Sequence, residues 1–157
     1  MSARSAVVYD CNTFLQALAA PEGPAGHCVQ MAIDGVVRLF VSPVVIDELR
    51  TVAARPKVIA RMRLVTERVE AFLDTIQLAA TVLSGFDEPF AYDRDADDAH
   101  YINLALAAGA SFIVTRDNDL LDLMDASRTE SREFQARFPT LQIVNPVRFL
   151  RETEASM

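Results

Sequence analysis

The chain has little of what usually breaks or staples a fold: 5 glycines, 7 prolines and 2 cysteines in 157 residues. No long tract lacks apolar residues, so disorder is confined to the termini. Cys11 and Cys28 do not make a disulfide framework, and a reducing cytoplasm is the expected setting. No apolar run approaches the roughly 18 residues needed to span a bilayer. Residues 1–5, Met-Ser-Ala-Arg-Ser, lead straight into a strand-like run without the apolar centre of a signal peptide. No membrane partner is expected. Zinc-type spacings are missing, since His27 and Cys28 are adjacent and His100 stands alone. There is no glycine-rich phosphate loop and no serine in a nucleophile motif.

Apolar residues, by contrast, make up 51% of the chain, enough for a core, and the length suits a single domain over 1–157. The net charge of −7 argues on its face against a nucleic-acid partner. Its distribution is uneven, however. Arg50, Arg55, Lys57, Arg61, Arg63 and Arg68 crowd one segment, whereas acids gather around 87–98 and 117–125. A bound divalent cation would offset part of the acidic excess. The basic segment is either a solvated helix face or a phosphate-binding surface.

Strand-like runs at 6–9, 36–41, 111–115 and 141–144 alternate with helical patterns, and 81–83 has extended character. Helices are expected over 12–19, 25–34 (with Gly35 just past the end), 43–54, 58–78, 97–108 (closed by Gly109), 118–124 and after Asn145-Pro146. Ser42-Pro43 is a cap-plus-proline helix start. The segment 126–139 reads as a loop with a helical turn. Alternation of this kind means an α/β fold with a parallel sheet covered on both faces. Ligands of such sheets bind beyond the carboxyl ends of the strands.

Acids stand at four junctions between apolar stretches and polar turns. Asp10 ends the first strand, with Asn12 two positions on, and either suits a helix cap. Glu48 lies beside the stripe of Val45, Ile46 and Leu49, where it would either pair with an arginine or face a site. Asp95, Asp97 and Asp98 begin a helix that needs one of them as its cap. Asp117 follows the strand 111–115, and Asp119 suits the cap of the next helix, which frees Asp117. Carboxylates beside a core lose hydration. Four such junctions in one small domain point to a hard divalent cation.

In this order the segments resemble the PIN-domain family of nucleases, which includes VapC-like toxins of toxin–antitoxin pairs. Asp10-Cys11-Asn12 matches the Asp-x-Asn after the first strand, and Glu48-Leu49 the helical glutamate. Ala54-Arg55-Pro56-Lys57 is similar to a subgroup of toxin components. Arg94-Asp95-Ala96-Asp97-Asp98, with Ala105 and Gly109, matches the third motif, and Thr115-Arg116-Asp117-Asn118-Asp119-Leu120 the fourth. The likeness runs over about residues 6–150. It implies a three-layer α/β/α fold with a parallel sheet of about five strands. It also implies Mg²⁺ or Mn²⁺ held by Asp10, Glu48, Asp98 and Asp117, with Asp119 as an extra ligand, and hydrolysis of RNA. Asn12, Thr115 and Asp95 would support the ligands, and Arg50, Arg55, Lys57, Arg61 and Arg116 would hold phosphates. An antitoxin protein and a second copy of the chain are the implied protein partners. The rival readings are a nucleic-acid- or antitoxin-binding module without turnover, and a phosphatase or receiver-like domain. Asn12 counts against the phosphatase, whose chemistry wants a second aspartate there.

Overall fold

A computed structural model describes residues 4–155; the first three residues of the amino-terminal stretch and the last two of the chain lie outside it. Short β-branched runs form five strands: β1 (Ala6–Tyr9), β2 (Arg38–Val41), β3 (Thr81–Val82), β4 (Phe112–Val114) and β5 (Gln142–Val144). They make one sheet in the order β3-β2-β1-β4-β5, parallel at every pairing. Val7, Val8 and Tyr9 of the central strand are fully buried, as a strand covered on both faces must be.

Five helices lie between β1 and β3: α1 (Cys11–Ala19), α2 (Pro24–Ile33), α3 (Pro43–Ala53), α4 (Pro56–Met62) and α5 (Thr66–Ala79). α6 (Ala96–Ala108) joins β3 to β4. α7 (Asn118–Leu121), a 3-10 turn (Asp122–Met124) and α8 (Thr129–Arg137) precede β5, and α9 (Pro146–Ala155) follows it. The chain steps from β1 to β3 in one direction and from β3 to β5 in the other. Right-handed crossovers therefore put α1–α5 on one face and α6–α8 on the opposite one. α6 packs across β1, β2 and β4, and α9 returns to pack on α2. The rings of Tyr9 and Phe112 meet Phe149 of α9 on the first face. The fold is thus a three-layer α/β/α sandwich. Among the described residues no helix is long and apolar enough to cross a membrane.

The capping signals act as their chemistry dictates. Ser42 Oγ accepts from the Val45 amide at 3.2 Å. Gly35 and Gly109 take φ of 74° and 63° just past α2 and α6, a conformation that is cheap without a Cβ.

Two expectations fail. Residues 58–78 are not one helix: α4 stops at Met62 and α5 begins at Thr66. Arg63 sits between them at φ 54°, ψ 47°, and the Leu64 amide donates back to the Ile59 carbonyl at 3.0 Å. This is a Schellman-type stop. No glycine marks it, and Leu64 continues the apolar spacing because it packs on the core. The second failure is 126–139, where α8 replaces the expected loop. Phe134 and Ser131 are its buried residues, and the Ser131 hydroxyl donates to the Asp122 carbonyl at 2.6 Å. A helix anchored by one ring has no apolar stripe to read.

Left-handed arginine is strained. Arg63→Gly is therefore expected to stabilise the fold by about 1 kcal/mol, raising the melting midpoint by about 2–4 °C. Urea and thermal denaturation followed by circular dichroism measure it.

Candidate metal centre

The sheet order reverses between β1 and β4, whose following segments leave for opposite faces. That leaves a crevice beyond their carboxyl ends. Asp10 follows β1 there, and Thr115, Asp117 and Asp119 follow β4. The start of α6 supplies Asp95 and Asp98. Oxygens of Asp95, Asp98, Asp117 and Asp119 all lie within 4.8 Å of one another. Like charges about 4 Å apart repel by about 4 kcal/mol at the effective dielectric near a protein surface. The group is costly unless something neutralises it.

Asp98 is the most exposed to that cost in energy and the least exposed to water, at 6%. Its Oδ2 is buried without a hydrogen-bond partner. Burial, and then the neighbouring Asp117, Asp95 and Asp119, push its pKa from 3.8 up to about 8. Asp95 caps α6, its Oδ1 accepting from the amides of Asp97 at 3.0 Å and Asp98 at 3.3 Å. Asp117 caps α7 by accepting from the Asp119 amide at 2.9 Å. Asp119 is paired with Arg94 at 2.8 Å, and Arg94 also holds Asp122 at 2.7 Å.

Asp10 and Glu48 lie outside the four-acid group but are wired to it. Asp10 is buried and caps α1, accepting from the Thr13 amide at 2.8 Å, the Thr13 hydroxyl at 2.6 Å and the Thr115 hydroxyl at 2.5 Å. Burial still raises its pKa against those bonds, and the charge of Asp117 adds to the rise. Thr115 Oγ1 accepts from the Asp117 amide at 2.9 Å, so its own proton is free for Asp10. Glu48 is half-buried, with Tyr101 Oη donating to its Oε2 at 3.0 Å. Burial raises its pKa, the Tyr101 bond opposes the rise, and the charges of Asp97 and Asp10 reinforce it.

Several expected roles change. Asn12 is exposed and takes no hydrogen bond with the acids; Thr13 does that work. An aspartate cap with threonine three positions on was the signal for it. Asp117, not Asp119, caps α7, because the β4 turn brings its carboxylate back over the Asp119 amide. Asp95 is both a cap and a member of the acid group, more than a support. Arg50 is tied to Asp47 and Glu70, both at 3.6 Å, on the surface of α3 and α5. Arg116 turns to the other face and lines a groove with Gln16, Ala20 and Met62. Arg55, Lys57 and Arg61 are exposed around α4. Tyr101 had no motif to announce it, and Arg94 stood in the third motif without a role assigned to it.

The donors fit a hard divalent cation. All are carboxylate oxygens, with no sulfur or imidazole among them, and one is a buried oxygen lacking any partner. Asp98, Asp117, Asp95 and Asp119 stand where they could hold it, with Asp10 and Glu48 alongside.

The raised pKa of Asp98 has a consequence for stability. An unfolded aspartate ionises near 3.8, whereas folded Asp98 holds its proton to about 8. Its contribution is therefore fully present below pH 4 and is lost as pH rises toward 8. Metal-free protein should lose stability across that window, and Asp98→Asn should be the more stable form at pH 8. Excess Mn²⁺ should reverse the order. Calorimetric melts at pH 5 and pH 8, with and without Mn²⁺, read the sign.

Comparison with known proteins agrees with this geometry. The uncharacterized protein MJ1680 of Methanocaldococcus jannaschii is 28% identical over 148 residues, covering 94% of this chain and 91% of that protein. The model of the PIN domain matches residues 6–119, a span that runs from β1 through the acids after β4. The parallel sheet, the crevice at its reversal point, the acid group and this match agree, and the chain belongs to the PIN-domain family, with its nuclease-type fold.

Proposed function

We propose that this chain is an Mg²⁺- or Mn²⁺-dependent endoribonuclease, and that it acts as the toxin of a toxin–antitoxin pair. The observation that carries the nuclease reading is the orphaned Asp98 Oδ2 inside a group of four carboxylates at the sheet's reversal point. Asp10, Glu48, Asp98 and Asp117 are the proposed ligands, with Asp119 as a further one; membership of the acid group adds Asp95 to that set. A cation held there supplies Lewis acidity toward a phosphodiester and a more acidic water.

The chain's own residues prepare the site. Thr13 and Thr115 fix both oxygens of Asp10. The caps at Asp95 and Asp117 lock those side chains onto the ends of α6 and α7. Arg94 restrains Asp119 from the outer side. Exposed Arg55, Lys57 and Arg61 form a basic edge on α4. α4 packs on α3, the helix that carries Glu48. The basic edge would receive RNA phosphates that the acids alone repel. An antitoxin would cover the crevice, and a second copy of the chain would be the homodimer partner.

Two experiments test the reading. RNA pools incubated with the protein should be cleaved, EDTA should stop cleavage, and Asp98→Asn should lower the rate by about a hundredfold or more. Unchanged cleavage by that variant would sink the catalytic assignment and favour a binding module. Replacing both Lys57 and Arg61 by alanine should weaken RNA binding evenly across sequences. The slope of log affinity against log salt should fall by about 1 per lost phosphate contact. Filter binding at several salt concentrations measures it.

A further inference from the structure

Tyr101 is 3% exposed, yet its hydroxyl ties three segments together. The Cys11 amide donates to Oη at 3.0 Å, and Oη lies 3.0 Å from Glu48 Oε2. A backbone amide can only donate and an ionised carboxylate can only accept, so the bonds run Cys11 N–H to Oη and Oη–H to Glu48. The hydroxyl has one proton, and the carboxylate receives it.

Each of the three segments carries an acid of the proposed centre. Tyr101 lies three residues after Asp98 on α6, on the same face of the helix. Cys11 opens α1, the helix that Asp10 caps. Glu48 comes from α3. Among the described residues Glu48 has no other hydrogen bond or ion pair, and its Oε1 is left without a partner. A glutamate has several rotamers to lose, whereas a buried phenol ring is held by its packing. Accepting from an amide also polarises the phenol and strengthens its donation to the carboxylate. Thr115 repeats the construction beside it, accepting from the Asp117 amide and donating to Asp10.

We infer that Tyr101 is a positioning residue for the metal centre: it holds Oε2 of Glu48, aims Oε1 at the cation, and keeps α3 in register with the starts of α1 and α6. The inference rests on the metal-centre reading. It assigns Tyr101 a role through Glu48 and not merely the satisfaction of the Cys11 amide.

The test is Mn²⁺ affinity of the full metal-free chain by isothermal titration calorimetry, in a double-mutant cycle. Tyr101→Phe keeps the ring and removes the hydroxyl. It should weaken Mn²⁺ binding about tenfold, the usual loss when a ligand's hydrogen-bond partner is removed. In a Glu48→Ala background the same change should matter less than about twofold, because the residue it acts through is gone. Equal weakening in both backgrounds would mean a general structural effect and would overturn the inference, as would no weakening at all. If the phenylalanine variant does not fold, Cys11→Pro is the substitute. Proline is tolerated at a first helical position, and its ring would displace the Tyr101 hydroxyl. It should weaken Mn²⁺ binding in the same direction, and unchanged affinity overturns the inference. Wild-type protein that binds no Mn²⁺ overturns both this and the metal-centre reading. Wild-type binding that Asp98→Asn abolishes and Tyr101→Phe leaves intact overturns this inference alone.

Discussion

Four carboxylates held within a few ångströms of one another are the constraint on which the proposed site of this domain depends. Mutual repulsion and, for Asp98, burial work against them, although Asp95 and Asp117 also cap helices and Asp119 pairs with Arg94. The strain is visible in the proton that Asp98 retains up to about pH 8. Such an arrangement stores a demand for positive charge. Arg94 meets part of it at Asp119 from the outer rim. The buried oxygen of Asp98, which no cationic side chain neutralises, is the part left over.

The fold creates this concentration through topology. Strand order reverses between β1 and β4, so two crossovers depart to opposite faces and open a crevice at their shared end. α6, which crosses between those two halves, presents its first turn to the same place. Acids far apart in sequence therefore meet without any of them leaving an ordinary helix-start position. Asp10, Asp95 and Asp117 are all helix caps as well. Capping and ligation are compatible because a carboxylate has about four lone-pair sites and a cap uses only some of them.

A second theme is the use of hydroxyls as directed connectors. Thr115 and Tyr101 each accept from a backbone amide and donate to an acid. Ser42 likewise accepts from the Val45 amide, and its hydroxyl lies 2.6 Å from His100 Nε2. An ionised carboxylate can only accept, so the Thr115 and Tyr101 hydroxyls donate to their acids. Rigid side chains thus carry backbone order into a crevice whose own members repel one another.

Much of the fold was written locally. β-Branched runs, Ser42-Pro43, Asn145-Pro146, Gly35 and Gly109 each announce an element by chemistry within a few residues. The alternation of strands and helices then implied a parallel sheet. Local order was silent where a decision came from elsewhere. Arg63 turns left-handed so that Leu64 can pack on the core, and α8 exists because Phe134 finds an aromatic cluster with Phe90 and Phe138. The acids at 10, 48, 95, 98, 117 and 119 were legible because a carboxylate at an apolar junction is locally anomalous. Of their partners Thr115 was read from its motif, but Thr13, Tyr101 and Arg94 were given no role, since such residues are unremarkable until the neighbour is known. By itself the sequence determined which residues carry charge and where elements begin, because caps, prolines and glycines act over one turn. Only the tertiary structure decided which carboxylates share one space and which hydroxyls hold them, because those distances arise from strand order across the sheet.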